Sequence, residues 1–346
     1  MTNQSQQSQR ALKQQYREQN AALVKAALHT EQIATVAVLR DRTGLSVVTV
    51  NKILRDLLES GEILPGEITT SGGGRPAKTY RFNALHRLLL LVTCFRRGGS
   101  EIAGYSVHDL FGECLERREE LLSAVPSTHT EEFRQGISVY QKRFPRLAMI
   151  GMCMPSERIG GRMAAVLRRD PFSQKLALTM EKWFGVPLFF ETDINAATLG
   201  CFKRHPEHDF VAGVVLVPGR APSCGFCHHG EVLRGRNGLA GEVRYFPMYE
   251  NQGVLPSDPQ AADDLAVRTL RAVSCVLNPG LVVVYAESIR KGLDQRLRHQ
   301  LTSPGEQALQ PQIEQNVQMR EDIISGMLDL SLRRLRQDLK GTSHAA

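Results

Sequence analysis

The sequence predicts an α/β protein whose N-terminal quarter is a separate, mainly helical unit. Hydrophobic residues make up 42% of the 346 residues, which is enough for more than one core. Up to about residue 82, apolar residues repeat at helical spacing and then give way to a glycine-rich hairpin. From Leu85 onward, short apolar runs alternate with amphipathic stretches, which is typical of strands alternating with helices.

The net charge is positive and concentrated at the N-terminal end. The chain carries a formal charge of +7, and residues 1–82 hold 11 Lys and Arg against 7 Asp and Glu. A quarter of the chain therefore supplies more than half of the excess charge, as expected if nucleic acid binds there. No apolar run reaches the roughly 18–20 residues of a membrane span. We therefore expect no membrane association.

The cysteines and the first residues indicate the compartment. Seven cysteines are scattered along the chain, odd in number and without a signal peptide before them. This pattern favours reduced thiols in a cytoplasmic protein. Residues 1–11 are polar and rich in Gln, so we expect a disordered tail.

Two helices are predicted before the main motif. The first covers Leu12–Leu28, with Leu23, Ala27 and Leu28 on its buried side. The second covers Ala34–Asp41 and is capped by Thr35.

A third helix follows the turn at Thr43-Gly44 and has the character of a recognition helix. Ser46 is a good N-cap, and Gly61 ends the helix. Four apolar residues fall at i, i+3, i+4 and i+7 and predict a buried face: Val50, Ile53, Leu54 and Leu57. The opposite face is short, basic and partly apolar, and it carries Asn51. It suits a major groove, where Asn pairs with adenine, Lys reaches guanine or phosphate, and Val touches a thymine methyl.

A predicted β-wing completes this unit. Strands at Glu62–Ile68 and Ala77–Phe82 are joined by a glycine-rich tip that carries Arg75, a residue suited to a narrow minor groove. Residues 12–83 are therefore predicted to form a winged helix-turn-helix domain. The alternative is an ordinary surface helix and hairpin. The residues predicted to contact DNA are Ser46, Val47, Val48, Thr49, Asn51, Lys52, Arg55, Arg75 and Lys78.

The remainder reads as alternating strands and helices. Strands are predicted at Leu88–Thr93, Glu101–His108, Cys114–Arg118, Leu147–Met154, Pro187–Glu191, Val211–Val217, Cys224–His228 and Gly280–Tyr285. Helices are predicted at Thr130–Arg143, Phe172–Phe184, Ile194–Cys201, Leu265–Leu277 and Met319–Leu339, and Thr302–Gln310 is expected to be a loop. No strong internal repeat is visible.

Three segments carry a resemblance to a known family. They are the wing tip Gly73–Ala77, the segment Pro187–Thr198 (PLFFETDINAAT) and the segment Gly230–Glu242 (GEVLRGRNGLAGE). From about Leu12 to its end the chain resembles the ROK family (repressors, open reading frames, kinases), in particular its transcriptional repressors. The resemblance implies an actin-like, hexokinase-type fold of two α/β lobes over residues 85–346, with a sugar bound in the cleft between them.

Two carboxylates acquire candidate roles from the resemblance. Asp193 matches the catalytic base of the family kinases, and Glu242 matches a second ligand of sugar hydroxyls. A carboxylate between a strand and a helix can hold a hydroxyl by a charge-assisted hydrogen bond. The structural alternative for Asp193 is that it caps the helix that starts at Ile194.

The chain departs from the kinases at both phosphate loops. The segment Val92–Gly98 lacks the magnesium-binding Asp, so no catalytic residue is expected. The second loop, Val217–Pro222, contains two prolines, and proline removes the backbone donors that a phosphate nest needs. We therefore expect neither ATP use nor enzyme activity.

The family's zinc site also has no counterpart. No cysteine lies between Cys227 and Cys275, so a Cys₃His site is not expected, and neither is any other cofactor. Thr192 replaces the usual Asn, and Tyr245 replaces the usual His. A further sugar-binding Glu has no clear counterpart apart from Asp263 or Asp264.

Other cysteines and histidines are expected to be structural. Cys224 and Cys227 have the Cys-x-x-Cys-His spacing of a metal or haem site, but in a strand their thiols would point to opposite faces. His108, His205 and His208 are expected at the surface, without acidic partners at ligand spacing.

The leading functional hypothesis is a DNA-binding transcriptional regulator, a repressor of carbohydrate-related genes that binds a double-stranded operator as a homodimer or tetramer. A sugar or sugar derivative in the cleft would be the effector. The alternatives are a ligand-independent regulator whose second domain is a dimerisation or protein-docking scaffold, and a sugar kinase.

Overall fold

The structure, a computed structural model, describes residues 2–69, 76–97, 100–123, 129–154, 182–236, 238–249, 253–286, 291–301, 303–316 and 318–339. The N-terminal elements are α1 Thr2–Glu31, β1 Ile33–Thr35, α2 Val36–Thr43, α3 Val47–Glu59, β2 Ile63–Thr69 and β3 Ala77–Phe82. The first half of the remainder contains β4 Leu88–Arg97, β5 Ser100–His108, β6 Cys114–Leu121, α4 His129–Arg143, β7 Leu147–Met154 and β8 Leu188–Thr192. The second half contains α5 Asp193–Arg204, β9 Phe210–Val215, β10 Ser223–His228, β11 Glu231–Val232, α6 Pro259–Leu277, β12 Leu281–Tyr285, α7 Leu293–Gln300, α8 Pro304–Gln307, β13 Gln312–Asn316 and α9 Met319–Leu339.

The N-terminal unit packs three helices on a small antiparallel sheet with the order β1-β3-β2. Thr35 caps α2 as predicted, since its hydroxyl accepts a hydrogen bond from the backbone N–H of Val38. Gly44 ends α2 with a φ of +69°, a backbone conformation that glycine adopts without a steric penalty. The predicted bounds of the third helix and of both wing strands agree with the structure to within about one residue.

Two expectations for the first helix are wrong. The expected disordered tail is helical from Thr2, because Gln, Arg, Ala and Leu are all good helix formers. Leu23, expected on the buried side, is 49% exposed. Leu28 is fully buried and Ala27 is half-buried, as expected, and Val24 occupies the core position expected of Leu23.

Two larger sheets form the rest of the described protein, and they share one topology. The strand orders are β6-β5-β4-β7-β8 and β11-β10-β9-β12-β13. In each sheet the first three strands form an antiparallel meander, and two further strands add in parallel. We call the parts built on the first and second sheet lobe 1 and lobe 2. They have the same architecture although the sequence shows no strong repeat.

Helices α5 and α9 lie between the two lobes. Helix α5 packs on β9 and β10 of lobe 2, α9 packs on β4 and β7 of lobe 1, and the two helices pack on each other. Glycines permit very close contact: a Cβ placed on Gly200 would lie 2.0 Å from the carbonyl oxygen of Asp322, and one on Gly326 would lie 1.9 Å from that of Ala196. The backbones therefore touch with no side chain between them.

A buried polar network fixes the same two helices. Arg204 on α5 donates two hydrogen bonds to the Asp322 carboxylate on α9, at 2.8 and 2.9 Å. The hydroxyl of Tyr285 on β12 donates to Oδ2 of Asp322 at 2.7 Å, the oxygen that also accepts from Nη2 of Arg204. Asp322 is 2% exposed, so these contacts compensate the loss of water around its charge.

The outer helices complete the two lobes. Helix α4 covers the far face of lobe 1, and α6 and α7 cover the far face of lobe 2. The expected loop Thr302–Gln310 contains the short helix α8, begun by a Ser303–Glu306 capping box. The predicted helix Phe172–Phe184 lies mostly outside the described residues. Within those residues, no helix combines the length and apolarity that a membrane crossing requires.

Candidate nucleic-acid interface and interlobe cleft

Helix α3 turns one face to solvent because its apolar residues all lie on the other. Ser46 accepts a hydrogen bond from the backbone N–H of Thr49 at 3.1 Å and so fixes where the helix begins. The residues predicted to be buried are buried: Val50, Ile53, Leu54 and Leu57. The outward residues are exposed, namely Ser46, Val47, Val48, Asn51, Lys52 and Arg55, while Thr49 is half-buried. The predicted accessibility is confirmed, and contact with DNA stays a prediction.

The cations of this face differ in their ion pairs from other cations of the N-terminal unit. Within the described residues, Lys52 and Arg55 on α3 and Lys78 on β3 take part in no ion pair. Elsewhere in the same unit, Lys25 pairs with Glu62 at 3.2 Å and Arg42 with Glu31 at 2.7 Å. Cations that have no acidic partner attract an external polyanion more strongly than paired ones.

The wing is a hairpin with an irregular strand. The pairing of β2 with β3 shifts register between Pro65 and Ile68. Gly66 permits the close approach at this point, because a Cβ there would lie 2.3 Å from the hydroxyl of Thr79. Lys78 is exposed on β3. Arg75, at the tip, lies outside the described residues.

Asp193 is the first residue of α5. Thr192 is the N-cap and accepts a hydrogen bond from the backbone N–H of Asn195 at 3.4 Å, so the structural alternative in which Asp193 is the cap does not hold. The Asp193 carboxylate accepts a hydrogen bond from the backbone N–H of Ile194 at 2.8 Å. Asp193 is half-buried at the junction of β8 and α5. Burial raises the pKa of the neighbouring Cys153 thiol, and the charges of Asp193 and Glu191 raise it further.

Glu191, which the sequence reasoning missed, is the most heavily bonded carboxylate here. Its side chain is 4% exposed and forms an ion pair with Arg234 from the segment after β11. The side-chain amide of Asn195 and the backbone N–H of Thr192 both donate to it at 3.0 Å. This set joins the last strand of lobe 1 to a segment of lobe 2. The only available signal was that Glu191 directly precedes the recognised Thr192-Asp193.

Glu242 already has a basic partner. Its carboxylate accepts a hydrogen bond from Nε of Arg244 at 2.8 Å and forms an ion pair with Nη2 at 2.6 Å, and both side chains are less than one-fifth exposed. Tyr245, at the position where the family has His, is 76% exposed. The segment lies close to Asp193, because Gly241 accepts from the backbone N–H of Cys224 and the adjoining Gly225 packs on Ile194. Glu242 is thus linked to Asp193 through Gly241, Cys224, Gly225 and Ile194.

The first phosphate-loop segment is part of a regular hairpin. Strand β4 continues to Arg97 and pairs directly with β5, with Arg97 opposite Ser100. The ring of Phe95 lies 4.7 Å from the guanidinium of Arg320, which also forms an ion pair with Glu119. The described part of this segment, residues 92–97, contains no Asp or Glu, and its Phe95 ring lies against the Arg320–Glu119 ion pair.

Most backbone positions of the second phosphate-loop segment offer no free N–H group. Gly219 donates to the carbonyl of Leu255 at 2.7 Å, and Arg220 donates to that of Val217 at 3.1 Å. Pro218 and Pro222 have no N–H. Among residues 218–222, at most the backbone N–H of Ala221 therefore remains available to bind an anion.

The remaining motifs behave partly as expected. Cys224 and Cys227 are buried in different apolar clusters, so the predicted divergence of their thiols is confirmed. No group of three potential metal ligands comes together among the described residues.

The predicted surface position of His108 is wrong. His108 is 2% exposed, and its ring is hydrogen-bonded to Ser106 and to the carbonyl of Gly112. His205 does have an acidic partner, Glu314 at 2.8 Å.

Candidate substitutes for the missing sugar-binding Glu lie on α6, away from α5. Asp263 is 4% exposed and faces Arg296 on α7 at 3.9 Å. Asp264 is exposed and accepts a bond from Gln260. Both belong to the helical layer on the outer face of lobe 2.

A known family model matches the central part of the chain. Residues 92–255 match the family model described as "ROK: ROK family". The chain contains a ROK-family domain. The match covers β4 to the segment that follows β11 and includes Asp193, Glu242 and both phosphate-loop segments.

Curated relatives of this ROK-domain chain are transcriptional regulators. It is 25% identical over 218 residues to the DNA-binding transcriptional dual regulator NagC of Escherichia coli K12, and equally to the N-acetylglucosamine repressor of Shigella flexneri. The match covers 59% of this chain and 51% of those proteins. It thus spans only about half the length of the curated relatives.

Solved structures confirm the fold. A ROK family transcriptional regulator described as a homologue of the E. coli MLC protein matches with a TM-score of 0.60 at 18% identity, over 94% of this chain and 99% of that one. A putative N-acetylmannosamine kinase of Listeria monocytogenes matches with 0.53 at 14% identity, over 72% and 99%. A ROK hexokinase of Thermus thermophilus matches with 0.50 at 17% identity, over 71% and 99%. The ROK-type, actin-like α/β fold is therefore shared with regulators and kinases alike.

Proposed function

We propose that the chain is a DNA-binding transcriptional regulator, a repressor of carbohydrate-related genes. The observation that carries the proposal is the outward face of α3, where Asn51, Lys52 and Arg55 are exposed and, within the described residues, neither cation takes part in an ion pair. The element order of residues 2–82 supports a winged helix-turn-helix in which α3 is the recognition helix and β2–β3 is the wing. Regulators among the curated and structural relatives support it too.

The proposal includes a homodimer or tetramer that acts in the cytoplasm on a two-fold operator. Two copies of α3 would enter successive major grooves, about 34–36 Å apart. All seven cysteines are free thiols, which suits a reducing compartment. The partner is double-stranded DNA.

The ROK domain is proposed to act without kinase chemistry. The supporting observations are the engaged N–H groups of Gly219 and Arg220 and the lack of an Asp or Glu in strand β4. ATP turnover over a panel of sugars is expected to equal that of a no-protein control. Sugar-dependent phosphorylation would instead make the chain a kinase with an added DNA-binding domain.

The proposed effector is a sugar or sugar derivative held near Asp193 and Glu242. One observation favours the alternative of a ligand-independent scaffold for dimerisation or protein docking: Arg244 already engages Glu242. Thermal-shift screening separates the two, because a ligand that binds only the native state raises its apparent stability. A stabilising sugar supports sensing, and no shift across a broad panel supports the scaffold.

DNA binding is tested by selecting duplexes from a random library and comparing variants. Asn51→Ala is expected to weaken binding to the selected duplex by about 1–3 kcal/mol and to reduce the sequence preference at one base position. Lys52→Ala should weaken binding to all duplexes and reduce the slope of log K against log salt by about one. Lys142→Ala on α4 is the control, because it removes the same charge from an exposed site on lobe 1. No enrichment over random DNA would refute the proposal.

A further inference from the structure

The N-terminal unit is seated on lobe 1 by the turn between β5 and β6, residues Asp109–Glu113. The backbone N–H of Leu110 donates to the carbonyl of Ala84, just after β3, at 3.1 Å. Leu110 is 1% exposed and belongs to an apolar cluster that also contains Leu28 and Phe82. The two domains therefore share one continuous core.

Three aromatic rings form the contact itself. The ring of Phe111 in the turn lies 5.0 Å from His29 on α1 and 5.7 Å from Phe82 on β3. His29 and Phe82 meet edge to face at 5.1 Å. Ring pairs at these distances attract by more than their buried area alone. Phe111 thus contacts both the first helix and the last strand of the N-terminal unit, the unit proposed to bind DNA.

The turn that carries Phe111 is braced from within. The Asp109 carboxylate accepts hydrogen bonds from the backbone N–H groups of Phe111 at 2.9 Å and Glu113 at 3.0 Å. His108, buried below, contacts the carbonyl of Gly112 at 3.1 Å. A turn held by so many internal bonds moves as one body rather than deforming.

The opposite side of the turn rests on α9. A Cβ placed on Gly112 would lie 3.3 Å from a methyl group of Leu328 and 3.5 Å from one of Leu332. Helix α9 in turn meets α5 backbone to backbone at Gly326. Helix α5 begins at Asp193, directly after strand β8 of lobe 1. Packed contacts therefore run without a break from the α5–α9 pair to the N-terminal unit.

We propose that Phe111 is a positioning residue that couples the α5–α9 pair to the orientation of the DNA-reading unit. A shift of α9 against α5 would displace the turn, and the turn would carry His29 and Phe82 with it, because close-packed surfaces transmit displacement rather than absorb it. The inference rests on the proposed DNA binding. Coupling is reciprocal, so DNA bound at α3 must also change the stability of α9.

The test measures that reciprocal effect and needs no effector. The probe is a duplex selected from a random library with the full chain, and the readout is amide hydrogen exchange of α9 with and without it. The variants are Phe111→Ala and the milder Phe111→Leu, which keeps apolar volume but removes the ring. Phe144→Ala is the matched control: Phe144 is half-buried and stacks on Tyr140 at 6.3 Å, away from the N-terminal unit.

In the parent chain, DNA is expected to change the exchange rates of α9 amides by about fivefold or more. Both Phe111 variants should still bind the duplex, yet the change should fall to roughly twofold or less, while Phe144→Ala keeps it. The coupling is refuted if DNA binds the parent without altering α9, or if Phe111→Leu responds as the parent does. Failure to select any duplex refutes the proposed function instead.

Discussion

Replacing Gly326 by Ala tests the helix contact on which the two-lobed body depends. The new Cβ would sit 1.9 Å from the carbonyl oxygen of Ala196 and 2.7 Å from its carbonyl carbon. Both atoms are helical backbone, so no side-chain rotation can relieve the clash. The helices would have to separate by more than about 1 Å to restore an ordinary C···O contact of roughly 3.3 Å.

The expected loss of stability follows from that separation. A gap of 0.5–1 Å removes about a quarter to a half of the dispersion attraction between facing atoms. Overpacking of this kind costs about 1–3 kcal/mol, and fixed backbone on both sides places this site at or above the upper end. The better helix propensity of Ala returns about 1 kcal/mol. A net loss of about 2–4 kcal/mol is expected, with a fall in Tm of roughly 5–15 °C.

Thermal and urea unfolding followed by circular dichroism measure this difference. Gly305→Ala is the matched control, since Gly305 also lies in a helix and its Cβ would meet nothing within 4 Å. That control should be neutral or more stable by up to about 1 kcal/mol. If Gly326→Ala unfolds within about 0.5 kcal/mol of Gly305→Ala, the reasoning about the backbone contact is wrong.

Three further predictions follow from buried groups. Burial lowers the pKa of His108 below its ordinary value near 6.5, so its stabilising contribution is complete above about pH 6.5 and is lost as the pH falls; His108→Gln should flatten the decline of Tm between about pH 7 and 5. Tyr285→Phe removes a donor from Asp322 and should cost about 1–2 kcal/mol in urea unfolding, less than Asp322→Asn, which removes a charge that Arg204 faces. Iodoacetamide should label the exposed Cys114 and Cys275 in the native protein and the five buried thiols only in denaturant, and equal rates for all seven would contradict the burial.

The N-terminal unit was largely predictable because its information is local. Val50, Ile53 and Leu54 mark the buried face of α3 by spacing alone, and Ser46 marks its start. The exception is α1, where several alanines blur the periodicity and hid the choice between Leu23 and Val24. The composition of its first residues suggested disorder, although their individual helix propensities are high.

The cleft was less predictable because its contacts are remote in sequence. Glu191 and Arg234 are separated by 43 positions, and no local sequence pattern predicts their ion pair. His108 looked like a surface residue because its partner, the carbonyl of Gly112, becomes available only when the turn forms. By contrast, the Glu242–Arg244 pair lies two residues apart and could have been proposed from spacing.

The aromatic contact of Phe111 has a practical consequence for dividing the chain. In a fragment that ends at Asn83, His29 and Phe82 would lose their contact with the Phe111 ring. In the complementary fragment, Leu110 would become exposed to solvent. Newly bared apolar faces of this kind promote aggregation. Each piece should therefore be poorly behaved when produced alone, and co-production of the two should restore solubility to both.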